Sequence, residues 1–225
     1  MTAFKYETHL HTSETSKCAQ SPGAAYVDFY RALGYAGVFV TDHFLNGNTT
    51  VEPALSWHER IALFCRGYAA ASARGAAVGL DVFFAWEYSC GWAHYLTYGL
   101  GKDWLLDHPD LLAWDPLTYF DRVHADGGGI VHAHPFREQV EIVQLIPTKT
   151  DAVEVVNPGR PDEANRHARD YALSFALPQT AGSDIHSTSR QRLCGVTTSQ
   201  RLAGGRDYLA ALGAGDAAIF DVVLK

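Results

Sequence analysis

The sequence predicts an α/β domain built around a mainly parallel sheet, and three observations carry that expectation. Short apolar runs alternate with segments of helical periodicity. The polar residues of chemical interest stand where the apolar runs end, as at the C-terminal face of a parallel barrel. No GxGxxG follows any of those runs, which disfavours an open dinucleotide-binding sheet.

The elements follow in order. Phe4–His9 alternates as a strand, and Ala24–Leu33 reads as a helix opened by Ser21-Pro22-Gly23. Ala36–Thr41 is a short apolar run suited to a buried strand. Trp57, Ile61, Phe64 and Tyr68 then fall at helical spacing. Val78–Trp86 is the next strand, ending at Glu87, and His94–Leu100 another. Pro116–Ala125 reads as a helix, broken by Gly127-Gly128-Gly129 before a strand at Ile130–Ala133. Ala152–Val156 stops at Asn157-Pro158-Gly159; Asp162–Phe175 is helical with Pro161 near its start. Leu177–Ala181 and Ala217–Leu224 complete the strands. With 225 residues and no repeat or linker, one domain spanning 1–225 is the simplest division.

Composition narrows the class. The chain is 47% hydrophobic and 19% charged, as in an ordinary globular protein. It carries no apolar stretch of bilayer length, and MTAFKYETHL lacks a signal-peptide core, so no membrane partner and a cytoplasmic address are expected. A formal net charge of -7 leaves nucleic acid a less favoured partner than a small phosphorylated substrate. Cys18, Cys65, Cys90 and Cys194 form no CxxC pair, which suits reduced thiols better than a disulfide framework or a cysteine-based zinc site.

Histidine is the unusual residue: there are 11, and they cluster at strand ends. His9 and His11, two apart on a strand, project to one side and can face one ion. A lone pair of this kind is more often polar decoration. Here it is accompanied by Asp42-His43, Glu87, His94, His132 and His134, and the pair Asp184 and His186. Asp42 is suited either to orienting an imidazole or to capping a helix. Glu87, at the end of a buried run, needs a partner or it would neutralise; shared cations or a loop arginine would serve. His132 shares a strand face with His134 if the alternation holds. His58, His108, His124 and His167 read as surface residues. Ser183 lacks the GxSxG elbow of a nucleophilic serine. Imidazoles and carboxylates without thiolate suit Zn, Mn or Fe, in a number closer to two or three ions than one.

In their order, HLHT at His9–Thr12, TDH at Thr41–His43, Glu87 with His94, HAHP at His132–Pro135 and GSDIH at Gly182–His186 resemble the polymerase and histidinol phosphatase (PHP) family. The resemblance spans nearly the whole chain. It implies a distorted (β/α)7 TIM-like barrel with a trinuclear metal site at the strand C-termini. It implies that His9, His11, Glu87 and Asp184 hold one ion and that Glu87 bridges to a second held by His94 and His134. A third would be held by His43, His186 and a side chain from the loop after HLHT, for which Glu14 is the nearest candidate.

The expected activity is hydrolysis of a phosphomonoester or small phosphodiester by water that a bound metal activates, attacking phosphorus in line. Glu87, Arg137 and His186 are the candidate catalytic groups. Arg137, Arg160, Asn157 and Lys17 are candidate substrate contacts, with Arg190 behind them. An amidohydrolase-type site and a nuclease for short oligonucleotides are the competing readings.

Overall fold

The computed structural model describes residues 3–137 and 142–224. In chain order the elements begin with β1 (Phe4–Glu7), α1 (Gly23–Ala32), β2 (Gly37–Val40), α2 (Trp57–Phe64), α3 (Arg66–Val78) and β3 (Asp81–Phe84). They continue with β4 (Trp86–Cys90), β5 (Ala93–Tyr98), α4 (Lys102–Asp107), α5 (Pro116–Ala125), β6 (Gly129–Ala133) and β7 (Ala152–Val156). The chain closes with α6 (Asp162–Ser174), β8 (Gln179–Ala181), β9 (Arg192–Thr198), α7 (Gly205–Ala214) and β10 (Ala218–Val223).

The architecture is mixed α/β, with two five-stranded sheets rather than one mainly parallel sheet. The orders are β10-β9-β1-β2-β3 and β4-β5-β6-β7-β8. Parallel pairing holds for β1-β2-β3 and for β6-β7-β8, whereas β9, β10 and the β4-β5-β6 run pair antiparallel. The cause at β4-β5 is a two-residue connection, Gly91-Trp92. Gly91 takes φ 59°, as a tight hairpin requires, so no helix separates the two strands.

No closed barrel forms among the described residues. The sheets meet instead at isolated parallel bridges, Leu10 with Ile185 and His43 with Glu87. Between β3 and β4 the chain passes from one sheet to the other, and Glu87 N–H bonds Asp42 O at 3.0 Å. These seams bring the ends of β1, β2, β4 and β8 to one place.

The expected strand Val78–Trp86 divides. α3 runs through Val78 and is ended by Gly79 in the left-handed region, φ 76°, and the strand begins at Asp81. The expected long helix divides too, with Ser56 and Glu59 forming a reciprocal cap for α2. α4, β9 and α7 lie outside the predicted elements. Phe44, Phe64, Trp86, Tyr88, Tyr119 and Phe120 form an aromatic core beside the second sheet. No helix is long and apolar enough to cross a membrane among the described residues.

Candidate metal centre

The chain leaving β1 carries His9 and His11 inward on one side and Leu10 on the other, all fully buried. The two Nε2 atoms lie 3.1 Å apart. Asp184 Oδ1 stands 3.6 and 3.3 Å from them, and Glu87 carboxylate oxygens 3.5 and 3.7 Å. Donors about 2.1 Å from a shared cation sit roughly 3–3.5 Å from each other, so the spacing fits one ion.

Glu87 is the hub. Its Oε1 is 2.8 Å from His94 Nδ1 and 3.2 Å from His134 Nε2. Its Oε2 comes to 2.5 Å from His43 Nδ1, yet the pair is too poorly aligned for a hydrogen bond, and both atoms are left without a partner in a buried setting. Close approach of lone pairs without a shared proton is what a donor set looks like when its acceptor is a cation. A third group joins His11, His43 and His186, with ring centroids 4.3 and 4.6 Å from His11. The structure therefore brings together His9, His11, His43, Glu87, His94, His134, Asp184 and His186. The residues present fit divalent metal ions.

The backs of the imidazoles are held by hydrogen bonds that choose the donor atom. His9 Nδ1 faces Glu154 Oε1 at 2.9 Å, leaving Nε2 toward the cluster. Ser16 Oγ donates to Asp42 at 2.7 Å, so at 3.3 Å it accepts from His11 Nδ1. His186 Nδ1 donates to the Asp184 carbonyl at 2.8 Å. Fixing the tautomer in this way is what metal-binding histidines require. Asp42, placed between two roles by its sequence, accepts from Thr12 and Ser16 and acts on His11 through Ser16.

Glu154 and Glu7 were not foreseen. Glu154 also accepts from His134 N–H and Asn157 Nδ2, both at 2.9 Å. Glu7 accepts from the N–H groups of Thr8, His9 and Ser183 and from Tyr30 Oη. A carboxylate interrupting the apolar run Val153-Glu154-Val155-Val156 was the available signal, the same one that marked Glu87.

Backbone strain and small residues complete the local geometry. His134 has φ 29° and Asp184 φ 48°, in the left-handed region that non-glycine residues seldom adopt. The turn at His134 breaks strand alternation. It sends His134 into the cluster while His132 faces the opposite way, stacked on Tyr95 at 4.5 Å with both ring nitrogens unpartnered. The expected shared face is thus corrected. Gly182 and Gly67 permit close approach: a Cβ on Gly182 would lie 2.4 Å from His9 Cβ, and one on Gly67 1.8 Å from Thr12 Oγ1.

Electrostatics follows from burial and pairing. Burial opposes charge on His9, but Glu154 and Asp184 outweigh it and hold the imidazole well above its ordinary value. Burial, reinforced by the charge of His43, drives His11 well below its own. Burial would raise Glu87, yet His94 and His43 bring it well below the usual carboxylate range; Asp184 is likewise lowered, chiefly by His9. Burial lifts Asp42 to about 7 and Glu7 upward, and pushes His132 down to about 3. Cys18 is lowered to about 6 against the effect of burial, by hydrogen bonds from His186 and His43.

Above the cluster lies a cavity of about 320 Å³, whose lining includes Cys18, His43, His94, Arg137, Arg160 and His186. Arg137 Nη1 is 3.4 Å from the His94 ring nitrogens, and Arg160 Nη2 is 3.1 Å from Asp184 Oδ2. Four expected residues stand elsewhere. Glu14 turns to the start of α1, where its carboxylate accepts from Gly23 N–H at 3.1 and 3.2 Å; free helix N–H groups and their positive end draw it there. Asn157 is fully buried, its amide spent on Glu154, Asp184 and Gly159 N–H. Lys17 is exposed outside the cavity lining, and Arg190 donates to the Ser183 carbonyl. His58, His108, His124 and His167 lie apart from the cluster, as expected.

No family model and no curated protein matches the sequence. Solved structures share the fold. A two-domain protein from Bacteroides vulgatus, containing a predicted PHP-like metal-dependent phosphoesterase, superposes with TM-score 0.73 at 18% identity over 97% of this chain. The chain spans 65% of that protein's length. A proposed metal-dependent phosphoesterase from Bifidobacterium adolescentis matches with TM-score 0.57 at 16% identity, over 84% of this chain and 90% of its own. An amidohydrolase from Chromobacterium violaceum, with sulfate bound and no metal, matches with TM-score 0.54 at 15% identity, over 81% and 87%. The likeness to PHP-like metal-dependent phosphoesterases thus extends from sequence motifs to three-dimensional structure.

Proposed function

We propose that this chain is a metal-dependent hydrolase of phosphoric esters, acting on a small phosphorylated molecule at a site for two or three divalent ions such as Zn, Mn or Fe. The observation that carries it is Glu87, a buried carboxylate approached by five imidazoles, His9, His11, His43, His94 and His134. So dense a donor set has little structural purpose of its own, because buried charge costs several kcal/mol per ion, on the order of what pairing returns. His9, His11, Glu87 and Asp184 would hold one ion, and Glu87, His94 and His134 a second. Bound cations would supply an activated water and offset charge on the ester.

The chain's own groups do the rest. Arg137 and Arg160, on the cavity wall, present guanidinium groups to the phosphoryl oxygens, for which their planar fork is suited. Arg160 remains tied to Asp184, so it is positioned before substrate arrives. His186 lines the cavity with Nδ1 engaged, so its Nε2 would bind the third ion or, in a two-ion site, give a proton to the leaving oxygen. Burial of the cluster floor keeps bulk water from the far side.

The likeness to an amidohydrolase supplies the competing reading, that of an amide or lactone hydrolase on the same scaffold. Metal-free protein reconstituted with Zn, Mn or Fe and offered phosphomonoesters, phosphodiesters, amides and lactones separates them, with Glu87→Gln as control. Phosphate release that this control lacks supports the proposal. Turnover of amides alone, or equal turnover by the control, sinks it.

A further inference from the structure

The loop after His11 brings a thiol, not a carboxylate, to the wall of the cavity. Glu14 is turned away to α1. Cys18 instead lines the same cavity as His43 and His186. The loop that carries it is pinned on either side: Lys17 N–H bonds Asn48 O at 2.9 Å, and Gln20 N–H bonds His186 O at 2.7 Å. His43, more than nine-tenths buried, has Nδ1 against Glu87 Oε2 at 2.5 Å with no hydrogen bond, so Nε2 is the donor it has left for a neighbouring ion. Three imidazoles, those of His11, His43 and His186, already converge there.

From this geometry we infer that Cys18 is a thiolate ligand of the third metal ion, together with His43 and His186. The inference rests on the metal-hydrolase reading above. Coordination replaces the S–H bond by a sulfur–metal bond and releases the proton to solvent, with no change of oxidation state. Its chemical consequence is selectivity. A sulfur donor beside two imidazoles favours Zn, Co or Fe and disfavours Mn and Mg, which prefer oxygen. The other two groups hold only nitrogen and oxygen, so the third site would differ in kind from its neighbours.

Cobalt titration of the metal-free full chain under reducing conditions tests this. Co(II) bound to thiolate gives a near-ultraviolet charge-transfer band that nitrogen and oxygen ligands do not. The band is expected in the native chain, in Glu14→Gln and in Cys90→Ser, the last removing the other half-exposed thiol. In Cys18→Ser it disappears, and bound cobalt falls by about one equivalent while the visible bands of the other ions persist. Alkylation of Cys18 by iodoacetamide slows once metal is added. Cobalt bound without a thiolate band, a band unchanged in Cys18→Ser, or alkylation indifferent to metal overturns the assignment alone. A native chain that binds no cobalt overturns the assignment and the hydrolase reading together.

Discussion

Replacing Glu154 by glutamine changes one atom and should cost the site most of its affinity for metal. Glu154 accepts three hydrogen bonds, from His9 Nδ1 through Oε1 and from His134 N–H and Asn157 Nδ2 through Oε2. A glutamine has only one acceptor oxygen. The backbone N–H of His134 cannot invert, and Asn157 Oδ1 is engaged by Gly159, so the new oxygen must serve that side. The new amide N–H₂ then faces His9 Nδ1 and forces it to accept. The His9 proton moves to Nε2, the atom 3.5 Å from Glu87 and 3.6 Å from Asp184, where an ion would bind. Losing the support behind a metal-binding histidine costs about 10–100-fold in affinity, and tenfold is about 1.4 kcal/mol. Loss of a charge-assisted hydrogen bond, about 1.5–3 kcal/mol, agrees with that range. The assay is zinc competition against a chromophoric chelator, with circular dichroism to establish that the variant is folded. A folded Glu154→Gln chain binding zinc within a factor of about two of the native affinity would refute the tautomer argument.

Three further outcomes are expected. His132→Phe removes two buried, unpartnered nitrogens while keeping a ring against Tyr95, and should stabilise the chain by about 1–2 kcal/mol; a lower melting temperature than native would contradict this. Gly182→Ala puts a methyl 2.4 Å from His9 Cβ and 2.7 Å from Glu154 Oε1, and should cost about 1–3 kcal/mol of stability with weaker zinc binding; a variant equal to native in both would tell against the close-approach reading. Asp151 raises the pKa of His124 chiefly through their 2.8 Å hydrogen bond. Because the folded value is the higher, the pair's stabilisation is complete below the unfolded value near ~6.5 and fades as pH climbs through the folded one. With side chains 31% and 44% exposed, the penalty of His124→Gln should be only about 0.5–1 kcal/mol at pH 5.5 and close to nil at pH 9. Denaturant midpoints at both pH values measure it, and a penalty that grew with pH would overturn the assignment.

The residues that meet in the cluster were legible because each is a polar side chain closing an apolar run, a position where burial demands a partner. His9, His43, Glu87, His134 and Asp184 share that signature. Three features were not legible, each for a physical reason. The opposite orientations of His132 and His134 depend on a left-handed backbone at His134, which tertiary packing imposes and residue identity does not announce. The loop path that turns Glu14 to α1 and brings Cys18 to the cavity depends on contacts with Asn48 and His186, both remote in sequence. Glu154 was passed over because the polar turn at Asn157 drew the site to the end of β7, although the buried carboxylate within the strand was the stronger anomaly. The sheet division was hidden in a similar way. A two-residue hairpin at Gly91-Trp92 pairs β4 and β5 antiparallel where a mainly parallel sheet was expected, and β9 carries too little apolar alternation to stand out.

Glu7 ties the backbone of His9 to that of Ser183, and so joins to β1 a segment made 176 residues after Glu7. Until Ser183 and Asp184 emerge, Glu7 lacks one of its N–H donors and His9 and His11 lack their carboxylate companion. Ion capture on a growing chain would therefore recruit whichever imidazoles were already exposed, in an arrangement the finished protein does not use. Correct loading would wait until residues 183–186 are in place, and fragments that stop short of residue 183 should bind metal only loosely and without order among the sites.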